Sequence, residues 1–198
     1  SDVVFRGLIR KYNSKCLMTT EMISSEMLCN NPNTRIIDAS TAHRTNPDWA
    51  YGFPELIGKR EKIKNSKRIA NPGCHATGFI SIVYPLVAKG IMPSDYPVTC
   101  HSITGYSGGG KKMIAEYEEE PDELLGAPRQ YGLTQNHKHL KEMVKISGLQ
   151  NAPAFCPIVS DFYSGMEVCV TLDAASINGT ADDIRRIYSE YYREGLVK

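Results

Sequence analysis

An α/β chain is what the sequence predicts, and three observations carry the prediction. Arg35-Ile36-Ile37-Asp38 reads as a short buried strand that empties into a polar loop over 39–47. That is the pattern of a parallel strand in an open sheet, where ligands gather at the carboxyl ends of strands. Arg68-Ile69-Ala70 reads as a second such strand, cut off by the sharp turn of Asn71-Pro72-Gly73. A helix then runs from Cys74 to about Ala88, with Phe79, Ile82, Val83, Leu86 and Val87 on one face. Pro85 is expected to bend or shorten it.

The remaining elements follow in chain order. Residues 3–9 suit a strand or a short helix, residues 20–29 have helix-like spacing, and Asn30-Asn31-Pro32-Asn33 is a turn. The stretch 51–67 is loop-like. Residues 98–103 alternate as a strand, 105–110 form a glycine-rich loop, and 112–120 a charged surface helix. Residues 134–146 read as a loop leading into a helix, and 154–159 and 165–172 as strands. Thr180 is a suitable N-cap for a closing helix with Ile184, Ile187, Tyr188 and Tyr191 on one stripe.

Composition excludes several classes of function. The 198 residues carry a formal net charge of +1 with the two signs interspersed, so there is no basic stripe for nucleic acid. No apolar run is long enough for a membrane span. The opening Ser1-Asp2-Val3-Val4-Phe5 lacks the charged and apolar regions of a signal peptide, although Ser in place of Met leaves an upstream targeting segment open. The six cysteines are scattered without a CxxC pair. They argue against a metal site and for free thiols in a reducing, cytoplasmic setting. Cys156 and Cys169 read as ordinary core residues.

Cys74 reads differently. It follows a tight turn and opens a helix, so its thiol faces unpaired backbone N–H groups and the positive end of the helix dipole. Both favour the thiolate, and the same N–H groups can hold an oxyanion. Ala76, Thr77 and Gly78 leave room for a substrate to approach. The structural alternative is a buried cysteine beside a turn. His75, adjacent in sequence, points elsewhere on a helix and reads as a packing or surface histidine. A partner base is offered by His137 and His139, with Glu142 three residues further on to orient the second. Taken alone, two histidines at a helix entrance are more often surface residues.

Together these segments resemble the shorter type of N-acetyl-γ-glutamyl-phosphate reductase, within the semialdehyde dehydrogenase superfamily. The resemblance runs through residues 31–44, 51–56 and 70–80. It continues through Gly105-Tyr106-Ser107-Gly108-Gly109-Gly110-Lys111, residues 131–143, Phe155-Cys156-Pro157-Ile158-Val159 and Gly165-Met166. It implies an α/β plus α+β architecture: a partial, Rossmann-like NADP-binding portion over 1–73, then a glyceraldehyde-phosphate-dehydrogenase-like catalytic and oligomerisation domain with a mixed sheet over 74–198. It implies NADPH-dependent reduction of N-acetyl-glutamyl 5-phosphate to the 5-semialdehyde in arginine biosynthesis. Cys74 would be the thioester-forming cysteine, and His137 and His139 the acid–base pair. Arg44 and Gln135 would bind substrate, and Ser107, Gly108 and Gly109 would lie at the NADP nicotinamide and phosphates. A homodimer or homotetramer follows from the same resemblance.

Two departures stand out. No GxGxxG-like run precedes Asp38, and Lys198 comes before the helical return to the cofactor domain that the resemblance implies. The expectation is that these 198 residues alone bind NADPH weakly. His75 stands where tyrosine is more usual, and Lys141 where proline is. The competing readings are a related acyl-phosphate reductase of the aspartate-semialdehyde or aminoadipyl type, a cofactor-deficient non-catalytic subunit, and a thiol hydrolase acting without hydride transfer.

Overall fold

The computed structural model describes residues 16–19, 35–119 and 122–198. The expected elements over 3–9 and 20–29 and the turn at 30–33 lie outside the described residues. Two compact units emerge: residues 1–73 with 194–198, and residues 74–193. The last five residues therefore belong with the first unit rather than the second, where the backbone N–H of Leu196 donates to Glu55 Oε1 at 2.9 Å.

The first unit holds an all-parallel sheet in the order β1-β2-β4-β3: β1 (Cys16–Thr19), β2 (Arg35–Asp38), β4 (Arg68–Ala70) and β3 (Ala50–Tyr51). Ala50, Tyr51, Phe53, Leu56, Ile69 and Ala70 are its buried apolar residues. The loop-like stretch 51–67 proves to contain a helix, α1 (Lys59–Asn65). It escaped the sequence reading because Lys-Arg-Glu-Lys-Ile-Lys-Asn has no apolar stripe and buries no residue; straight-chain helix formers alone favour it.

The second unit is built on a mixed sheet in the order β6-β7-β5-β8. β5 (Thr99–Gly105) runs parallel to β7 (Ala154–Ser160) and antiparallel to β8 (Met166–Thr171), and β6 (Arg129–Gln130) closes the far edge antiparallel to β7. Helix α2 (Cys74–Ala88) packs on this sheet, on α4 (Leu140–Ser147) and on the closing helix α5 (Ala181–Tyr191). A short α3 (Lys111–Glu118) follows the 3-10 turn Tyr106–Gly109. Among the described residues no helix is long and apolar enough to cross a membrane.

The buried stripe of α2 is Ala76, Phe79, Ile80, Val83 and Leu86, all without exposed surface. It is rotated from the expected face: Ile82 and Val87 are only half-buried. Pro85 neither ends nor shortens the helix, which continues to Ala88. Burial explains this, since four large apolar side chains at about 1.5–3 kcal/mol each outweigh a proline penalty of about 3 kcal/mol. The carbonyl of Ser81 loses its i+4 donor at Pro85 and instead accepts from the Tyr192 hydroxyl at 2.6 Å. Ile82 O likewise accepts from Tyr188 at 2.7 Å. Gly78 brings α2 close to β8, because a Cβ there would lie 2.5 Å from Val168 Cγ2. Helix α5 starts at the expected cap, with Thr180 and Asp183 in a reciprocal capping box.

The carbonyl of Ser81 yields a test. Tyr192→Phe should cost about 1–2 kcal/mol in urea unfolding by leaving that carbonyl short of a donor. Pro85→Ala restores an N–H at the right place and should shrink the cost of Tyr192→Phe in a double-mutant cycle. Strictly additive effects would contradict the compensation.

Candidate active site

Cys74 is the first residue of α2 and is exposed. Beside it lies an open cleft of about 340 Å³, lined by Cys74, Thr77, Gly78, Ser81 and Ile82 from α2 and by Met166 and Val168 from β8. The room expected from Ala76, Thr77 and Gly78 is thus only partly there. Ala76 faces the core, and the missing side chain of Gly78 is taken up largely by Val168. The other cysteines differ in kind. Cys100 is buried and its thiol is pushed up to about 12, chiefly by desolvation. Contrary to the core reading, Cys156 is half-buried and Cys169 exposed, because alternate residues of β7 and β8 turn to the sheet's open face.

Next to Cys74 a cluster of rings gathers around His75. The His75 ring centroid lies 5.7 Å from those of both His137 and His139, 5.3 Å from Phe155 and 6.3 Å from Tyr131. His137 and His139 are 4.8 Å apart, edge to face. The packing role read for His75 is therefore correct, but the residue is also polar and engaged: Nδ1 lies 2.7 Å from Ser102 Oγ and Nε2 2.7 Å from the Tyr131 hydroxyl. Burial, with the nearby His137 and Lys138, lowers its pKa to about 4. The Tyr131 hydroxyl is pushed up to about 12 by burial and then by the charge at Cys74. His137 is lowered by burial and by Lys138.

The histidine segment is held by its own backbone and by Gln135. The N–H of His139 donates to His137 Nδ1 at 3.2 Å, and the N–H of Leu140 to His137 O at 3.0 Å. With Nδ1 accepting, the neutral His137 ring carries its proton on Nε2. His139, 3% exposed, stands at the N-cap of α4, and Glu142 in the first turn of that helix is 2% exposed.

Gln135 adopts φ 54°, in the left-handed region. Its side-chain amide donates to Phe155 O at 2.8 Å and accepts from Phe155 N at 2.8 Å. A strand partner would make the same pair of bonds. The side chain thus takes up the β7 edge just beyond the point where Tyr131 N donates to Pro157 O. Gln135 was expected to bind substrate, yet its amide is committed to the main chain and anchors the loop that carries the two histidines.

Arg44, also expected on the substrate, belongs to the first unit and is 8% exposed. Its Nε donates to Asn71 O at 2.9 Å and its Nη2 to Ala39 O at 3.0 Å, tying together the loops that follow β2 and β4. A guanidinium pointed at main-chain carbonyls acts as a strut, which the sequence spacing could not distinguish from an anion fork. Ser107, Gly108 and Gly109 form the 3-10 turn at the carboxyl end of β5, with Gly108 and Gly109 exposed and Lys111 and Lys112 exposed just beyond. The turn is compact in itself, since a Cβ on Gly109 would run into Met113 and one on Gly105 would lie 2.6 Å from Phe162 O.

Tyr131 and Ser102 went unassigned in the sequence, and His75 was read only as a packing or surface residue. Ser102 carried no signal there. Tyr131 and His75 sat inside informative segments, but the contact between them joins residues 56 positions apart.

A family model described as "Semialdehyde dehydrogenase, dimerisation domain" matches residues 74–197. The N-acetyl-gamma-glutamyl-phosphate reductase 2 of a Nostoc species is 41% identical over 186 residues, covering 90% of this chain and 58% of that protein. The N-acetyl-gamma-glutamyl-phosphate reductase of Sinorhizobium medicae is 44% identical over 171 residues, covering 84% and 55%. The chain therefore spans little more than half the length of these relatives. In fold it is similar to aspartate semialdehyde dehydrogenase II of Vibrio cholerae, with a TM-score of 0.62 at 14% identity over 87% of this chain and 59% of that one. It is also similar to the Francisella tularensis aspartate semialdehyde dehydrogenase, with a TM-score of 0.59 at 13% identity over 92% and 65%.

The site's electrostatics set a pH dependence. The unfolded chain protonates His75 near 6.5, whereas the folded chain resists until about pH 4. Stability is therefore complete above 6.5 and falls as pH drops through that window, by about 2 kcal/mol at pH 5 from this group alone. Urea unfolding at pH 7.5 and pH 5 should show the loss, and His75→Phe should remove much of it. Separately, Gln135→Leu should destabilise by about 1–3 kcal/mol, because the N–H and C=O of Phe155 lose their partners. A neutral result would show that the clasp is dispensable.

Proposed function

The chain belongs to the semialdehyde dehydrogenase family, and from that membership we propose that it is the acyl-transfer portion of an NADP-dependent N-acetyl-γ-glutamyl-phosphate reductase, with Cys74 as the nucleophile. The observation that carries the proposal is the placing of an exposed cysteine at the first residue of α2, over an open cleft, with His75 packed against both His137 and His139. The identity of 41–44% to reductases of that name supports the substrate assignment over the aspartate and aminoadipyl alternatives.

The Cys74 sulfur, once deprotonated, attacks the acyl carbon of the acyl phosphate. The carbon–sulfur bond forms as the carbon–oxygen bond to phosphate breaks, and inorganic phosphate leaves. Negative charge on the acyl oxygen is met by N–H groups at the start of α2 and by His137, whose Nε2–H is a donor in the neutral ring. The thiol proton is assigned on this reading to His139, buried at the N-cap of α4 one turn before Glu142. His75, held neutral, competes for no proton. The hydrogen bond that the His139 backbone makes to His137 supports the donor role for His137 in this reading.

The exposed turn of Ser107, Gly108 and Gly109, with Lys111 and Lys112 at the start of α3, fits a phosphate-bearing group. NADPH held there would supply the hydride that takes the thioester to the aldehyde. The parallel sheet of the first unit is read as part of the dinucleotide-binding domain. The dimerisation-domain match and the half-exposed outer face of the mixed sheet, with Thr99, His101 and Ile103 on β5, support a homodimer or a homotetramer. The free thiols favour a cytoplasmic setting.

Acyl transfer needs no hydride, so phosphate release from N-acetyl-γ-glutamyl phosphate tests the proposal directly on this chain. The release stops at one phosphate per chain, so the rate of that single turnover is read: Cys74→Ser should lower it by at least about a thousandfold, and His137→Asn by about a hundredfold with little change in the half-saturating substrate concentration. Iodoacetamide should label Cys74 ahead of Cys169. Phosphate release that survives Cys74→Ser would refute the assignment.

A further inference from the structure

Both ring nitrogens of His75 are accounted for, and the third contact in the chain fixes where the protons lie. Nδ1 is 2.7 Å from Ser102 Oγ, Nε2 is 2.7 Å from the Tyr131 hydroxyl, and Ser102 Oγ is 3.1 Å from the carbonyl oxygen of Glu167. A carbonyl oxygen can only accept, and Ser102 has a single proton. For a neutral ring, which burial favours, one arrangement alone makes all three contacts hydrogen bonds. Ser102 donates to Glu167 O, the Nδ1–H of His75 donates to Ser102, and Tyr131 donates to His75 Nε2. The reverse direction leaves the contact between Ser102 and Glu167 unmade, with Ser102 1% and His75 3% exposed.

We propose that His75 is a positioning residue for acyl transfer: as the neutral Nδ1–H tautomer it holds the Tyr131 hydroxyl as a donor to itself, so that the Tyr131 oxygen offers the Cys74 site acceptor lone pairs and no proton. The proposal rests on the acyl-transfer reading of Cys74. Tyr131 is hydrogen-bonded to His75, the residue directly after Cys74 in α2, and the charge at Cys74 acts on its hydroxyl. A hydroxyl so placed, if its proton were uncommitted, would donate to the thiolate and blunt its attack. His75 takes up that proton. Burial keeps the ring neutral at physiological pH, so the arrangement persists there. The Tyr131 oxygen is then able to accept from an N–H donor, and the nearest ring with one to offer is His137, whose centroid is 6.0 Å away. The chain ends on a main-chain carbonyl of β8, the strand that also lines the cleft. The tyrosine's orientation is therefore referred to the sheet and not to a mobile side chain.

Nitrogen-15 NMR of the 198-residue chain with labelled histidine reads the tautomer directly, the His75 signals being identified by their loss in His75→Gln. A protonated Nδ1 and an unprotonated Nε2 at pH 7 are expected. A protonated Nε2, or a doubly protonated ring, would overturn the arrangement. Phosphate release separates positioning from packing. His75→Gln keeps an acceptor for Tyr131, whereas His75→Phe fills the same space without one. His75→Phe should lower the single-turnover rate about tenfold with the half-saturating substrate concentration within about twofold, while His75→Gln stays within about threefold of the unmodified chain. Equal or better activity in His75→Phe would show that the ring merely packs. If the unmodified chain releases no phosphate, the acyl-transfer reading fails and the positioning role falls with it, and the NMR result still decides the proton arrangement by itself.

Discussion

Helix α2 can lie against β8 only because residue 78 has no side chain, and the geometry of the site follows from that contact. A Cβ at Gly78 would meet Val168 at 2.5 Å, so the helix sits as close to the sheet as backbone and valine permit. Its buried stripe is then driven into the core between the sheet and α4, and its first residue is set at the rim of the cleft. Cys74 is exposed and His75 is buried for the same reason: neighbours on a helix are turned about 100° from one another, and the packing decides which faces inward. The nucleophile and the centre of the ring cluster are thus adjacent in sequence yet live in different environments.

The loop carrying His137 and His139 depends on borrowed strand pairing. β6 is only two residues long, and the β7 edge beyond it would present unpaired main-chain groups. The N–H of Tyr131 and the amide of Gln135 satisfy that edge in turn. A left-handed residue such as Gln135 costs energy, which the two bonds to Phe155 offset. The result is a loop whose position is set by the same strand that packs Phe155 against His75 and His137. Polar and apolar contacts act on one segment, which is what holds two histidines edge to face beside a helix start.

Much of this was legible in the chain itself, and the parts that were not have specific causes. The strands over 35–38 and 68–70, the helix from Cys74 and the Thr180 cap follow from apolar patterning and local capping chemistry, which act over a few residues. The helix at Lys59–Asn65 did not, because it buries nothing. The rotation of the α2 stripe away from Ile82 and Val87 depends on packing against β8 and α4, and the helix past Pro85 is served by Tyr188 of α5 and Tyr192 just after it, more than a hundred residues away. Arg44 and Gln135 have side chains that suit a ligand, but each also holds main-chain groups brought near by folding, which no local pattern foretells.

By itself the sequence determined which residue types stand at the turn before α2, in the histidine pair and in the glycine turn after β5. These are local matters, because a cysteine behind Asn-Pro-Gly and a glycine run each restrict the backbone within their own few residues. What only the tertiary structure decided is how those pieces are used. It assigned His75 to a buried hydrogen-bond chain with Ser102 and Tyr131, turned Gln135 and Arg44 into struts, and gave His137 its tautomer. The buried chain and the struts rest on contacts between residues distant in sequence, the His137 tautomer on how its own loop is folded, and hydrogen-bond direction, burial and proton position exist only once such contacts are made.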